Sequence, residues 1–156
     1  FVTLFGIGKL KSIPGSYASL ATTLFLFLLF HILNISVNFV LIFIIIIFLI
    51  SLYAVNIFIK DIDNKDPKEV VIDEFIGQSI PICLYEVAHE GTKETSQVLT
   101  VYFVMFILFR IFDIVKPYPV SYYDKNFKNS FGVIMDDVCA GLYVVAILVL
   151  YMIITS

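Results

Sequence analysis

Three short groups of charged residues stand near the ends of apolar stretches. The groups are Asp73-Glu74, the pair Arg110 and Asp113, and Asp136-Asp137. Carboxylates are the ligands that Mg²⁺ takes in proteins, usually one or two of them, with positions left for substrate phosphate. An arginine beside them can bind phosphate oxygens in a fork. The residue types therefore predict a metal–phosphate site, provided that the chain brings the three groups together.

Composition shows what kind of chain must do this. Of the 156 residues, 60% are hydrophobic and 15% are charged, and the mean hydropathy is +1.00. A soluble domain has about 45–50% apolar and about 25% charged residues. These values exclude an ordinary soluble domain, a disordered chain and a coiled coil, and the net charge of −3 argues against a nucleic-acid partner. The length allows one domain, so we expect residues 1–156 to form a single integral-membrane domain.

Five apolar stretches are candidates for membrane helices. Residues 12–59 contain no Lys, Arg, Asp or Glu over 48 positions. A spanning helix needs about 20 apolar residues, so this run predicts two spans that turn at Asn34. The four long stretches are Tyr17–Leu33, Ile35–Ile59, Gln97–Val115 and Val133–Thr155.

The third stretch, Phe75–Tyr85, is short and contains Pro81. Even when extended to His89 it has 15 residues, which is about 22 Å of helix at about 1.5 Å per residue. We expect it to cross only in part, or to lie inside the bundle, shielded from lipid. Tyr122–Phe131 is predicted as a polar loop. The predicted fold class is all-α, a membrane bundle of four to five apolar helices of which the third is short.

Basic residues indicate the orientation of this bundle. If each stretch crosses once, nine of the ten Lys and Arg residues fall on one side, and Lys93 falls on the other. Loops rich in Lys and Arg stay in the cytoplasm. We therefore expect a multi-pass protein of the cytoplasmic (inner) membrane with its N-terminus inside. This topology places all three acidic groups at cytoplasmic helix ends, and so predicts one site that faces the cytoplasm.

Glycine and hydroxyl residues add to this prediction. Gly77 and Gly141 stand four residues after Asp73 and Asp137, and small residues let helices approach closely in membrane bundles. Pro14-Gly15-Ser16, with Ser19 close behind, opens the first span. Free N–H groups at such a helix start favour anions.

Each signal alone also has a purely structural explanation. Arg110 and Asp113 share a helix face and could form only an ion pair, with Lys116 one step further along that face. Asp136-Asp137 could simply be acids that stabilise a helix N-terminus, and Ser16 could be a helix cap. Convergence on one membrane face favours a site. His31 and His89 fall on the opposite face and are predicted as interfacial residues rather than ligands.

The motifs resemble those of the phosphatidylglycerophosphatase A family. The matching blocks are Pro14-Gly15-Ser16 with Ser19, Val71–Gly77, Phe109–Pro119, Tyr123-Asp124 and Gly132–Gly141. They occur in the family's order and cover nearly the whole chain, with Ala18 at a position where the family usually has glycine. The resemblance implies a Mg²⁺-dependent, all-α membrane phosphatase. Its substrate would be a phospholipid, phosphatidylglycerophosphate, whose phosphate monoester is removed to give phosphatidylglycerol.

Residues and resemblance together predict the roles in this site. The candidate catalytic residues are Asp73, Glu74, Arg110, Asp113, Lys116, Asp136 and Asp137. The candidate phosphate-binding residues are Gly15, Ser16, Ser19, Arg110 and Lys116, and the candidate Mg²⁺ ligands are Glu74, Asp113 and Asp137. Which carboxylate activates water or attacks phosphorus stays open.

Two other functions fit an acidic membrane cluster. A small transporter would place its acids near the bilayer midplane, to carry protons or cations. A lipid-phosphate transferase of another family would need a second substrate site, and no nucleotide motif is present in the sequence. The oligomeric state is left open.

Overall fold

The computed structural model describes residues 1–60, 67–89 and 95–155, and these ranges contain helices and no strand. The α-helices are α1 (Pro14–Phe27), α2 (Val37–Ile59), α3 (Ile72–Ala88), α4 (Thr95–Val115), α5 (Val120–Asn126) and α6 (Ser130–Thr155). A 3₁₀ turn at Leu4–Lys9 precedes α1, and a π-helical turn at Leu28–Ile32 follows it directly. The predicted all-α class is confirmed.

Four helices are long and apolar enough to cross a membrane. They are Pro14–Ile32, Val37–Ile59, Thr95–Val115 and Ser130–Ile154. In α2, large apolar side chains point outwards, with Phe39 72% and Tyr53 70% exposed. A helix that is apolar on all sides and exposed in this way is suited to lipid. The four long predicted spans are confirmed, and three of them begin two or three residues earlier than predicted. The turn at Asn34 is also present, with a positive φ of 52°.

The short third helix, α3, lies inside the bundle. It has 17 residues, eleven of them buried, and it packs against α1, α2, α4 and, most extensively, α6. Its last turns reach the far end of the bundle, where Glu86 Oε1 lies 3.3 Å from His31 Nε2 and accepts a 3.0 Å hydrogen bond from Tyr102. Of the two expected arrangements, the structure therefore has the helix shielded by its neighbours. It begins at Ile72, three residues before the predicted start.

Two glycines allow α3 and α6 to cross in close contact. A Cβ on Gly77 would stand 2.6 Å from the carbonyl oxygen of Asp137. A Cβ on Gly141 would stand 2.4 Å from the carbonyl oxygen of Gly77. Both distances are too short for a side chain, so the predicted close approach at these glycines is confirmed. It brings the acidic first turn of α3 against the start of α6.

The segment predicted as a polar loop is partly helical, so that prediction was wrong for residues 122–126 and 130–131. Helix α5 packs against α6, with Val120 fully buried. The ring of Tyr123 stacks on Phe127 at a centroid distance of 5.7 Å and lies 6.2 Å from Phe131. These aromatic contacts anchor α5 although most of its residues are polar. Its position sets the location of Asp124, which contributes to the site.

Candidate active site

One cavity at an end of the bundle collects almost all the predicted site residues. It has a volume of about 1010 Å³ and lies where α1, α3 and α6 begin and α4 ends. Of the predicted residues, the cavity is lined by Gly15, Ser16, Asp73, Glu74, Arg110, Asp113, Lys116, Asp136 and Asp137. Ser19 is fully buried and is not part of the lining. Four separate elements therefore supply one polar surface.

The acidic centre of the cavity consists of Asp73, Glu74 and Asp137. One carboxylate oxygen from each lies within 4.8 Å of the others, which is compatible with a shared metal ion. Asp73 and Asp137 are only 6% and 3% exposed. Three carboxylates so close repel one another unless a cation or proton lies between them. The donor set is all oxygen, which fits a hard divalent cation.

Arg110 links this acidic centre to Asp113 and to α1. Its Nη1 lies 2.6 Å from Asp113 Oδ2 and 3.9 Å from Glu74 Oε1, and it donates to Ser19 Oγ at 3.4 Å. Asp113 therefore stands beside the three-carboxylate group, paired with the arginine. Ser19 Oγ itself donates to the carbonyl oxygen of Gly15 at 2.8 Å. The Ser19 hydroxyl, predicted to contact phosphate, lies outside the cavity lining and connects Arg110 with the first turn of α1.

The sequence predicted that Lys116 would continue the helix face of Arg110 and Asp113. The structure places it beyond the end of that helix instead. Helix α4 ends at Val115, and Lys116 has a left-handed φ of 48°. Its Nζ lies 2.7 Å from Asp124 Oδ1 and 2.7 Å from Asp136 Oδ2. Burial alone would lower the pKa of Lys116, but the attraction of Asp136 and Asp124 outweighs it and raises the pKa. The ammonium therefore ties α4 to α5 and α6.

The start of α1 lies directly against the acids. Helix α1 begins at Pro14, which suits the first helical position because proline lacks an N–H. The preceding Ile13 is left-handed, with φ of 42°, and accepts the N–H of Ser16 at 3.1 Å. Ser16 therefore lies within the first turn rather than at the cap. At Gly15 a Cβ would stand 2.0 Å from Glu74 Oε1, so the glycine makes room for that carboxylate.

Four buried side-chain atoms lack a hydrogen-bond partner within the described residues. They are Glu74 Oε2, Arg110 Nε, and both amide atoms of Gln78. Two belong to predicted site residues. Gln78 was not predicted, and neither was Asp124, the partner of Lys116. The available signals were the position of Gln78 one turn after Glu74, and the inclusion of Asp124 in one of the family motifs.

The two histidines lie away from this cavity. His31 and Glu86 meet at the other end of α3, and the ring of His89 stacks on Tyr85 at 4.4 Å. Neither histidine lines the cavity that holds the acids. They therefore belong to the opposite end of the bundle, where the sequence placed them.

Fold and site together define an integral membrane protein with an acidic and basic cavity at one end of its helices. Comparison with known families identifies it further. The family model described as Phosphatidylglycerophosphatase A matches residues 1–152, and the chain belongs to this family. The resemblance seen in the motifs is confirmed. The chain is thus an enzyme, a membrane lipid phosphatase.

Individual relatives agree with this assignment. The chain is 33% identical over 143 residues to the phosphatidylglycerophosphatase A of Haemophilus influenzae, covering 92% of this chain and 81% of that protein. Over 89 residues it is 33% identical to the Escherichia coli phosphatidylglycerophosphatase A, 57% of this chain and 46% of that one. Over 79 residues it is 42% identical to a putative phosphatidylinositol-3-phosphatase of Bacteroides thetaiotaomicron, 51% and 45% of the two chains. No solved structure matches the chain.

Proposed function

We propose that residues 1–156 act as one domain that hydrolyses the phosphate monoester of phosphatidylglycerophosphate in a Mg²⁺-dependent reaction. The products are phosphatidylglycerol and inorganic phosphate. The observation that carries the proposal is the three-carboxylate group of Asp73, Glu74 and Asp137 beside Arg110. It lies at the end of membrane-spanning helices, where a lipid presents its headgroup.

The acidic centre supplies the ligands for Mg²⁺ in this proposal. Glu74 and Asp137 belong both to the predicted ligand set and to the three-carboxylate group. Asp73 is the third member of this group because its carboxylate lies close to the other two. Asp113 also binds the cation if its carboxylate is shared between the cation and Arg110. Glu74 contributes one carboxylate oxygen to this group, and that oxygen is available to bind the cation. When bound, Mg²⁺ neutralises phosphate charge and lowers the pKa of water.

Arg110 is the group that binds the transferred phosphate. Its Nη1 is held by Asp113, which fixes the plane of the guanidinium, while Nε has no partner within the described residues. A guanidinium fixed in this way can stabilise charge on the phosphoryl oxygens as the glycerol oxygen leaves. Gly15 and Ser16 extend the anion-binding surface with the start of α1. Lys116, directly after the end of α4, adds positive charge while it holds Asp124 and Asp136.

The hydrolysis can follow two routes with the same residues. In one, a carboxylate takes a proton from water, and the oxygen of that water attacks phosphorus. In the other, a carboxylate attacks phosphorus, and water then hydrolyses the acyl phosphate. In both routes the P–O bond to glycerol breaks, the glycerol oxygen takes up a proton, and inorganic phosphate is released.

The cavity faces the cytoplasm in this proposal, and the protein lies in the inner membrane. Eight basic residues of the described ranges are near the cavity end, whether in its lining or at adjacent helix ends. They are Lys9, Lys11, Lys60, Lys68, Arg110, Lys116, Lys125 and Lys128. Loops rich in such residues stay inside. A cysteine introduced at Asn129 should therefore be labelled from the cytoplasm, and one introduced at Asn38 should be labelled from the outside. The reverse pattern would contradict this orientation.

The test of function is phosphate release from phosphatidylglycerophosphate by the purified protein in detergent. We expect release with Mg²⁺ and none with a chelator, restored when Mg²⁺ is added back. Phosphatidylinositol 3-phosphate is the comparison substrate, because one relative carries a name of that kind. Faster release from it would overturn the substrate assignment, and activity indifferent to chelator would overturn the metal. The transporter alternative is disfavoured because the acids lie at helix ends rather than at midplane depth.

A further inference from the structure

Gln78 is a buried amide that the proposed reaction does not use. Its side chain is fully buried, and neither Nε2 nor Oε1 has a hydrogen-bond partner within the described residues. Leaving a buried polar group unpaired is costly, whereas an apolar side chain of the same shape costs nothing of this kind. A glutamine at this position therefore needs an explanation other than packing.

The position of Gln78 points to Glu74. The two residues are four apart on α3, so they lie on the same face of the helix. Side chains in an α-helix lean towards the N-terminus, which directs the amide of Gln78 towards the turn that carries Glu74. Glu74 Oε2 is itself buried and without a partner within the described residues. A donor and an acceptor, both unpaired, therefore stand one turn apart.

Another polar residue of the same helix shows the usual arrangement. Ser79 is as fully buried as Gln78, but its Oγ donates to the carbonyl oxygen of Phe75 at 2.6 Å. Buried polarity in α3 is thus satisfied locally where no site is involved. Gln78 differs because its amide has no such local partner and lies one turn from Glu74, a residue of the acidic centre.

We propose that Gln78 is a positioning residue for Glu74. In the working enzyme its Nε2 donates a hydrogen bond to Glu74 Oε2 and orients the carboxylate, so that Oε1 is presented to the cation. Groups that hydrogen-bond to a metal ligand fix its orientation, and their loss weakens metal binding by about 10–100-fold. Gln78 touches neither cation nor substrate. This inference rests on the proposed Mg²⁺ site, in which Glu74 is a ligand.

The experiment compares Gln78→Met with Ser79→Ala in the full chain in detergent. Methionine has the length of glutamine without its amide. Calorimetry measures the Mg²⁺ dissociation constant, and circular dichroism measures the thermal midpoint without metal. For Gln78→Met we expect Mg²⁺ binding at least about tenfold weaker, with a metal-free midpoint equal to or above that of the original chain. Ser79→Ala should keep the original Mg²⁺ affinity.

Two results would overturn the inference. One is an unchanged Mg²⁺ affinity in Gln78→Met. The other is a fall in the metal-free midpoint, which would mean that the amide only supports packing. Gln78→Leu serves as the second variant if the methionine protein does not fold. Glu74→Gln tests the proposed metal site separately from the role of Gln78. If Glu74→Gln binds Mg²⁺ like the original chain, the proposed metal site is wrong. If Glu74→Gln loses Mg²⁺ binding and Gln78→Met keeps it, only the role of Gln78 is wrong.

Discussion

Gly15 and Glu74 touch across the gap between α1 and α3. A Cβ on Gly15 would stand 2.0 Å from Glu74 Oε1 and 3.1 Å from Arg110 Nη1. The nearest atom is the end of a flexible side chain rather than backbone. An added methyl group would therefore displace the carboxylate without separating the helices, and the glycine of the Pro-Gly-Ser motif sets the position of a proposed metal ligand.

Gly15→Ala should accordingly remove activity and keep the fold. A shift of about 1 Å at a reacting group can reduce the rate about 100-fold. We expect a loss of that order in phosphate release, with a thermal midpoint close to the original. Leu20→Ala, on an exposed position of α1, is the control and should change neither value. Unchanged activity in Gly15→Ala would show that Glu74 can move freely.

Gly141→Ala should instead destabilise the bundle. The carbonyl oxygen of Gly77 faces Gly141, and it lacks its usual helical partner because Pro81, four residues on, has no N–H. A methyl group 2.4 Å from that oxygen meets backbone, which cannot rotate away. We expect a loss of about 1–3 kcal/mol in unfolding free energy, measured by denaturation in detergent. Leu142→Ala, beside it and 49% exposed, controls for substitution in α6. Equal stability of both variants would contradict the close crossing.

Asp124→Asn tests the role of Lys116 as a tie between helices. Lys116 keeps its bond to Asp136 but loses one charged partner. The free energy of unfolding should therefore fall by no more than about 1.5–3 kcal/mol. The raised pKa fixes the pH dependence. A group whose pKa is raised on folding stabilises fully below its unfolded pKa, about 10.4 for lysine, and loses this stabilisation as pH rises through the folded value.

The stability difference between Asp124→Asn and the original chain should therefore be constant between about pH 6 and 9. Thermal midpoints at several pH values in that range measure it. Asn126→Ala, at the exposed end of α5, is the control. A difference that disappears within this range would mean that Lys116 is not the charged partner of Asp124.

The sequence predicted the long spans and the shared location of the acids because membrane burial restricts both. Charges are excluded from the hydrocarbon region, so Asp73, Arg110 and Asp137 had to lie at helix ends, and helix direction placed them on one side. The contacts of Lys116 were not predictable in the same way. They depend on Asp124, which lies on a helix held by aromatic packing that its polar composition conceals.

Side-chain direction was a second limit of the sequence. Asp73 and Asp113 have the same chemistry and similar placement; Asp113 was the predicted ligand, although spacing alone could not separate the two. In the structure Asp113 turns to Arg110, and Asp73 lies with Glu74 and Asp137. Gln78 was missed because a single amide beside an acid has no periodic signature. Only the three-dimensional structure shows that its amide atoms have no hydrogen-bond partner within the described residues.

Arg110→Lys should lose most of the activity although the charge is kept. The guanidinium reaches Asp113, Glu74 and Ser19 from one nitrogen and has further N–H groups for phosphate. An ammonium is a point charge that can pair with Asp113 but cannot also bind two phosphate oxygens in a plane. We expect phosphate release to fall by at least about 100-fold, a magnitude typical for loss of one transition-state donor. Turnover like that of the original chain would reduce Arg110 to an ion-pair partner of Asp113.

The acids themselves give the sharpest division of roles. Asn or Gln at a true ligand should weaken Mg²⁺ binding, so that added Mg²⁺ partly restores phosphate release. The same change at the base or nucleophile should lower turnover with little effect on Mg²⁺ dependence, because the cation is still held. We expect Glu74 and Asp137 to behave as ligands, and the comparison of Asp73→Asn with Asp113→Asn to identify the third.

Because the carboxylates lie within 4.8 Å of one another, removing one should also relieve repulsion. The ligand variants should therefore be at least as stable as the original chain without metal, yet gain less stability from Mg²⁺. If every variant folds and keeps normal turnover, the acids form only a charged rim and the proposed chemistry is wrong.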